Sequence, residues 1–451
     1  MNFLKLPHGA RFSNRHIMFF LLPILFEQLM VAGLNMADTF MVSFLGETSV
    51  AGVALVSRID NFVKCFLVAL AQGGSVVMSQ YLGAENKKRA SLSLKNNIFF
   101  VVFIGILIML VMVLFRPWVL QVLFGSADAE VLKISNTYFT ITAFSYPFVA
   151  LYYADSASYR AMGESKIPSL ASIAMMGINL ILKYLFIFKL NMGVKGAALS
   201  TLIAMAVVGF SLLIMLRDKH NAVSLERIFS HDFDKDNLRR ILNVSIPNGI
   251  EQGMFQLGAL AIAGLVSSLG TAAIAADSIA RTLSALVHSM GAAFAAVMMM
   301  LIGNCMGAGK PDEAQFYTRH ILKLNYILTF INVLLFLIFL KPMIMLFDIS
   351  LEAQNYAFWI LILYCAGSIT FYPTSFATAA ALRGTGDTKF VMLVATASMF
   401  IFRIGAAYIL VHIFKMGIIG TWVAMVSDWV IRSAIFMIRF KHGKWMENKV
   451  I

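Results

Sequence analysis

Two carboxylates, Glu27 and Asp38, stand inside the first long apolar run of the chain, Ile17 to Gly46. Their spacing of eleven residues amounts, at about 100° per residue, to roughly three turns plus 20°. Both acids therefore look out from one helix face. The run has the roughly 20 apolar residues that a bilayer-spanning helix needs. A carboxylate facing lipid is costly, so the stripe Glu27, Gln28, Asn35 and Asp38 is expected to line the protein interior or a watery cavity, where an acid can take up and release a cation. A packed carboxylate with no such duty is the rival reading.

Further charges sit at similar depth. The second apolar segment carries Arg58, Asp60 and Lys64, with Asp60 and Lys64 spaced to pair along a helix. Asp38, Asp60 and Lys183 each fall roughly 10–15 Å from the outer surface at a rise of 1.5 Å per residue. The expectation is an ion-coupled network of these three, in which movement of the Lys183 ammonium relative to Asp38 alters the proton affinity of the acid. A static salt bridge that locks the helices is the alternative. In the second half, Asp277 with Arg281 and Asp428 with Arg432 have the i,i+4 spacing of structural neutralising pairs. Glu251 has no cation nearby in sequence. Together with Glu27, Gln28, Gln252, Met254 and Phe255 it is expected to touch a substrate. Six intramembrane cations (Arg58, Lys64, Lys183, Arg281, Arg403, Arg432) offset six acids (Glu27, Asp38, Asp60, Glu251, Asp277, Asp428), which leaves amphiphilic or zwitterionic substrates open. His288 and His412 are expected to be packed or interfacial.

The elements that hold these charges are apolar helices. With 60% hydrophobic residues, 13% charged and a mean hydropathy of +0.81 over 451 residues, the chain is an all-α polytopic membrane protein rather than a string of soluble domains. After the first run, spanning segments are expected at about 50–81, 97–115, 132–159, 167–188 and 194–216, and then at 241–269, 272–304, 321–340, 355–381, 390–413 and 416–438, which makes twelve. With the N-terminus inside, the cytoplasmic segments hold 24 of the 36 Lys and Arg residues, the outer loops six and the spans six. That bias places both termini in the cytoplasm of a multi-pass cell-membrane protein. The net charge of +13 thus reports orientation and implies no nucleic-acid partner. Cys65, Cys305 and Cys365 lie in apolar runs without metal-site or disulfide spacing.

The chain is an internal duplicate. Shifted by 224 residues, Pro23, Glu27, Gln28, Gly46 and Gly83 fall on Pro247, Glu251, Gln252, Gly270 and Gly307, while Arg160, Gly163 and Lys166 fall on Arg383, Gly386 and Lys389 at a shift of 223. Six spans separate equivalent points, so the halves share one orientation and form two pseudo-twofold-related six-helix lobes around a central cleft, a transporter architecture. The expected organisation is an N-lobe over residues 1–216, a charged cytoplasmic linker over 217–240, a C-lobe over 241–440 and a tail over 441–451. Gly83 and Gly307, where apolar helix meets charged loop, are expected as left-handed C-terminal caps.

The segments MADTFMVSFLG ending at Gly46, YLGAENKKRA (81–90) and RAMGESKIPS (160–169), with their second-half echoes IPNGIEQGMFQLG (246–258), CMGAGKPDEA (305–314) and LRGTGDTK (382–389), resemble those of the multidrug and toxic compound extrusion (MATE) family. The resemblance runs through nearly the whole chain. It implies two six-helix lobes, a cleft that opens to either side in turn, and export of organic, often cationic compounds driven by inward H⁺ or Na⁺. It also implies a cation-coupling role for Asp38, at which Na⁺ is one candidate ion. Where one branch of the family has a carboxylate four residues after the asparagine matched by Asn179, this chain has Lys183. Where another has a glutamate eight residues after the helix-seven proline, it has Phe255.

The reading is a secondary active antiporter, monomeric, lodged in the lipid bilayer, that exchanges small amphiphilic molecules for H⁺ or Na⁺ with no other cofactor. A flippase for lipid-linked precursors would favour a more cationic cleft. A multispanning enzyme would need a polar catalytic constellation near an interface, and no HExxH, Walker or GxSxG motif is present.

Overall fold

The computed structural model describes residues 11–124, 128–225, 234–347, 349–448 and 450–451; the side chain of Asn35 and linker residues 226–233 fall outside this set. The first half contains α1 (Asn14–Ser43), α2 (Glu47–Gly83), α3 (Lys87–Phe124), α4 (Ala129–Ala143), α5 (Tyr146–Ala161), α6 (Lys166–Tyr184) continued by a π-helical turn (Leu185–Lys189), and α7 (Gly193–Met215). The second contains α8 (Lys235–Ser267), α9 (Thr271–Gly307), α10 (Pro311–Met345), α11 (Leu351–Thr370), α12 (Tyr372–Gly384), α13 (Thr388–Ser398) joined through a π-helical stretch (Met399–Gly405) to α14 (Ala406–His412), and α15 (Gly417–Lys441). These are twelve membrane segments in two sets of six, all helical. In hydrocarbon, only structures that satisfy every backbone group internally can span.

Eight helices among the described residues are individually long and apolar enough to cross a membrane, and the bent pair α11–α12 makes a ninth. The remaining segments are α1, α2 and the pair α4–α5. The first two carry Glu27, Asp38 and Asp60, and those charges lower their mean hydropathy.

The fourth and tenth segments, expected as continuous runs over 132–159 and 355–381, are each broken into two helices. The breaks fall at repeat-related prolines, Pro147 and Pro373, which sit in the first turn of α5 and α12. A proline lacks the N–H that would continue the helix and its ring crowds the preceding turn. The α11–α12 axis turns by 50° there. The left-handed caps also differ from expectation. Gly83 and Gly307 end their helices without a positive φ, and the left-handed residues are Glu85 (φ 57°) and Gly309 (φ 69°), two positions later in both halves.

The chain divides into two compact units, Leu22–Gly249 and Met1–Leu21 with Ile250–Ile451. The changeover falls beside Pro23 in α1 and Pro247 in α8, repeat mates at which a backbone hydrogen bond is missing. The start of α8 therefore packs with the first-half helices. Asn237 Nδ2 donates to Ser93 Oγ at 2.7 Å and Ser245 Oγ to the Leu70 carbonyl at 2.9 Å, and Gly73 leaves no room for a Cβ against the Ser245 backbone. In the other unit the start of α1 packs on α10, where the Tyr317 hydroxyl donates to the Phe12 carbonyl at 3.0 Å and His320 Nε2 meets Asn14 Oδ1 at 2.9 Å.

Candidate functional site

In the unit Leu22–Gly249, one face of α1 presents Ile24, Glu27, Leu34, Asp38, Met41 and Val42 towards the other helices of that unit, while Phe26, Met30, Gly33, Ala37, Phe40 and Phe44 form its exposed stripe. The two acids sit on the same face, as their spacing requires. Each meets a cation brought by another helix. Glu27 is buried and accepts from Arg160 Nη2 at 2.9 and 3.1 Å and from Ser169 Oγ at 2.8 Å. Arg160 lies in the last turn of α5 and Ser169 in the first turns of α6. The carboxylate is thus bound on three sides within its own unit.

Asp38 pairs with Lys183 of α6, whose Nζ donates to Asp38 Oδ1. The two partners differ sharply in accessibility: the Lys183 side chain is 1% exposed and that of Asp38 35%. An ammonium that cannot reach solvent is held by a carboxylate that can be approached. One turn before Lys183, Asn179 accepts from Ser200 Oγ at 3.1 Å and donates to Thr201 Oγ1 at 3.4 Å, so α7 fixes the stretch of α6 that carries the lysine. A π-helical turn starts two residues after Lys183. Such inserts mark places where a helix register can change.

Asp60 does not pair with Lys64 along the helix; no ion pair between them forms among the described residues. Its Oδ1 accepts instead from the hydroxyl of Tyr146, at 2.7 Å, the first residue of α5 after the break. Asp38 and Asp60 both lie within electrostatic reach of the buried Tyr138 on α4. The expected trio is therefore a Lys183–Asp38 ion pair with Asp60 held beside it by tyrosine. Sequence reasoning missed Tyr138, Tyr146, Ser200 and Thr201. The Tyr-Pro pair at 146–147, repeated at 372–373, was the available signal for Tyr146.

The other unit is laid out differently. Glu251 is not without a cation: Arg383 Nη2 donates to its Oε1 at 2.5 Å from the end of α12. The pair is the repeat image of Glu27–Arg160, and it is invisible along the chain because 132 residues separate the partners. Asp277 takes Arg281 Nε at 2.6 Å, as the i,i+4 spacing predicts, and also Trp422 Nε1 at 3.0 Å. Asp428 accepts from Ser398 Oγ, while Arg432 stands 3.8 Å away, too far for a hydrogen bond. Among the described residues Arg403 makes no ion pair, and it lies over the ring of Phe255 at 5.0 Å. His288 is exposed rather than packed, with Nδ1 2.9 Å from the Tyr372 hydroxyl and its ring against Phe376. Gln28, Gln252, Met254 and Phe255 are all partly exposed.

The chemistry open to this arrangement is exchange of a cation at a carboxylate. Among the described residues no three His, Cys, Asp or Glu side chains come together to hold a metal. A proton arriving at Asp38 would cancel the charge that holds Lys183, an attraction of about 4 kcal/mol at 4 Å under the effective dielectric of a protein near its surface.

Comparison with known proteins agrees with the duplicated helical plan. The MatE family pattern matches residues 23–185 and again 247–409. A probable multidrug resistance protein NorM from Thermotoga maritima is 25% identical over 95% of this chain and 92% of its own length. An FAD transporter from Shewanella oneidensis is 25% identical over 76% of this chain and 77% of its own length. A solved structure of the outward-facing conformation of a multidrug resistance MATE family transporter of the MOP superfamily superposes with a TM-score of 0.87 at 20% identity, with 95% of each chain covered.

Proposed function

The chain belongs to the MatE family, and from that premise we propose that it is a proton-coupled antiporter that exports small amphiphilic organic molecules, with Asp38 and Lys183 as the coupling pair. Members of this family are multi-pass membrane transporters rather than enzymes. The observation that carries the finer reading is the contact of a fully buried ammonium with a part-exposed carboxylate. Protonation of Asp38 from one side frees Lys183. Loss of that proton on the other side restores the pair, and the two conditions correspond to two positions of α6 relative to α1. Na⁺ is the less suited ion, because it would have to displace the lysine and gather several oxygen ligands, whereas a proton only neutralises one.

Orientation enters the same reading. The excess of Lys and Arg in the loops assigned to the cytoplasm puts both termini inside, so the inward proton gradient points from the outer end of α1, where Asp38 lies. The monomer suffices, since Asp38, Asp60 and Lys183 of the coupling region all come from one chain. A drug-type amphiphile is favoured by the name borne by the Thermotoga maritima relative. An organic anion is the second reading, favoured by the Shewanella oneidensis relative, named as an FAD transporter.

The test is efflux of ethidium from everted vesicles containing the full chain, under a pH gradient or a Na⁺ gradient imposed separately. Efflux driven by the pH gradient alone supports the reading. Efflux driven only by Na⁺ would overturn proton coupling, and no efflux under either gradient, for ethidium or for an anionic dye, would overturn export.

A further inference from the structure

Arg403 is a charge within the apolar segments that forms no ion pair among the described residues. It sits on the π-helical stretch Met399–Gly405, is 8% exposed, and rests on the ring of Phe255 at 5.0 Å. Among the described residues no carboxylate, carbonyl or hydroxyl accepts from its guanidinium. The five N–H donors of its fixed fork are thus open to an acceptor from outside the chain.

The surroundings of Arg403 point the same way. Arg281, Arg432, Asp277 and Asp428 lie within its electrostatic reach, three guanidinium groups in all against two carboxylates. Arg432 leaves its Nε without an acceptor and stacks over Phe376 at 5.0 Å. Phe376 in turn packs on Tyr372 at 4.4 Å and on His288 at 5.9 Å, and His288 lies within reach of Arg403. A guanidinium backed by an aromatic ring keeps its hydrogen-bonding edge open, and that edge matches the two oxygens of a carboxylate or phosphate.

We propose that Arg403, backed by Phe255 and assisted by Arg432 beside Phe376, is a binding subsite for an anionic group, a carboxylate or phosphate, borne by an amphiphilic molecule. This rests on the export reading in one respect only, that the molecule bound there is the one transported. The π-helical stretch turns Arg403 out of the register of the preceding helix, and Phe255 supplies a flat apolar wall where an acid would have neutralised the arginine. The subsite would take the anionic end of a substrate whose remaining surface is apolar or cationic.

A matched pair of dyes tests it: rhodamine B, which carries a free carboxylate, and its ethyl ester, which does not. Binding to the full chain in phosphatidylcholine nanodiscs is followed by fluorescence polarisation. The wild-type chain is expected to bind the acid roughly tenfold or more tightly than the ester, the range for one charge-assisted hydrogen-bonded contact. Arg403→Gln is expected to remove that preference by weakening the acid alone, and Arg403→Lys to keep part of it. The wild-type comparison needs no variant, so misfolding of Arg403→Gln would not blunt it. Equal affinities of the wild-type chain for acid and ester, or an equal loss for both in Arg403→Gln, would overturn the subsite. Nanodiscs with 30% phosphatidylglycerol separate the two sources of the anion. A competing loss of rhodamine B binding assigns the subsite to a lipid headgroup, and unchanged binding assigns it to the solute. Preferred binding of the acid without any dye efflux would defeat the export reading and leave the subsite standing.

Discussion

The two halves of the chain descend from one pattern and keep one ion pair in common, yet their other charges are partnered differently. Glu27–Arg160 and Glu251–Arg383 are repeat images that tie the first helix of a half to the end of its fourth segment. Away from that pair the halves diverge. The first carries Asp38 with Lys183 and an acid, Asp60, that is satisfied by a tyrosine. In the second the place of Asp38 is taken by the buried Ile262, and Arg403 is a cation that lies over an aromatic ring. What the halves share holds the helices in place. What they do not share is where ion and substrate chemistry can differ between them. Duplication gives a symmetric frame, and the two proposals made above place the cation and anion chemistry where that symmetry is broken.

The comparison can be broken most severely at Lys183. Lys183→Leu removes the partner that reports protonation of Asp38, and pH-gradient-driven dye transport in proteoliposomes is expected to fall at least about tenfold, the effect of losing roughly 1.4 kcal/mol or more of coupling. Retention of full transport would mean that the pair only braces the helices.

The shared pairs come next. Glu27→Ala and Glu251→Ala each leave a largely buried guanidinium unpaired, which costs about 3–5 kcal/mol where a buried pair is broken. Thermal unfolding in detergent is expected to show Glu27→Ala as the larger loss, because Glu27 accepts from Arg160 and Ser169 whereas Glu251, among the described residues, accepts from Arg383 alone. Equal losses would show that Ser169 adds nothing.

A smaller effect sharpens the contrast between acid and histidine at the broken segments. Tyr146→Phe strips the buried Asp60 of its hydrogen bond, about 1–3 kcal/mol, whereas Tyr372→Phe removes a contact to the exposed His288, about 1 kcal/mol. The ratio of the two stability losses is the measured quantity, and a larger loss for Tyr372→Phe would contradict the assignment. The smallest change is expected for Thr201→Val. It removes the 3.4 Å contact from Asn179 and a 3.3 Å bond to the Ala197 carbonyl one turn back, both long, and should shift stability by about 1 kcal/mol or less.

Much of this frame is legible in the sequence. The helical class, the twelve segments and the repeat follow from hydropathy and from offsets that any reader can count. The face shared by Glu27 and Asp38 follows from helical periodicity alone. The contact of Asp38 with Lys183 is a guess from equal depth that the structure turns into a bond. What could not be read is set by pairings across the chain. Arg383 reaches Glu251 over 132 residues, and Asp60 prefers a tyrosine 86 residues away to a lysine one turn along. Local spacing identifies candidates for pairing, but packing decides among them. The isolation of Arg403 is the extreme case, since a lack of partners has no sequence signature at all. The prolines at 147 and 373 were visible and their consequence, a broken helix, follows from elementary sterics.

The most direct measurement is the proton-to-dye stoichiometry of Asp38→Asn beside the wild-type chain, by pH-sensitive fluorescence inside proteoliposomes during dye transport. The account predicts that the wild-type chain moves protons only when dye moves in the opposite direction, and that Asp38→Asn still binds dye but moves no protons with it. Proton movement by Asp38→Asn at the wild-type ratio would contradict the claim that this carboxylate and its buried lysine couple the two flows.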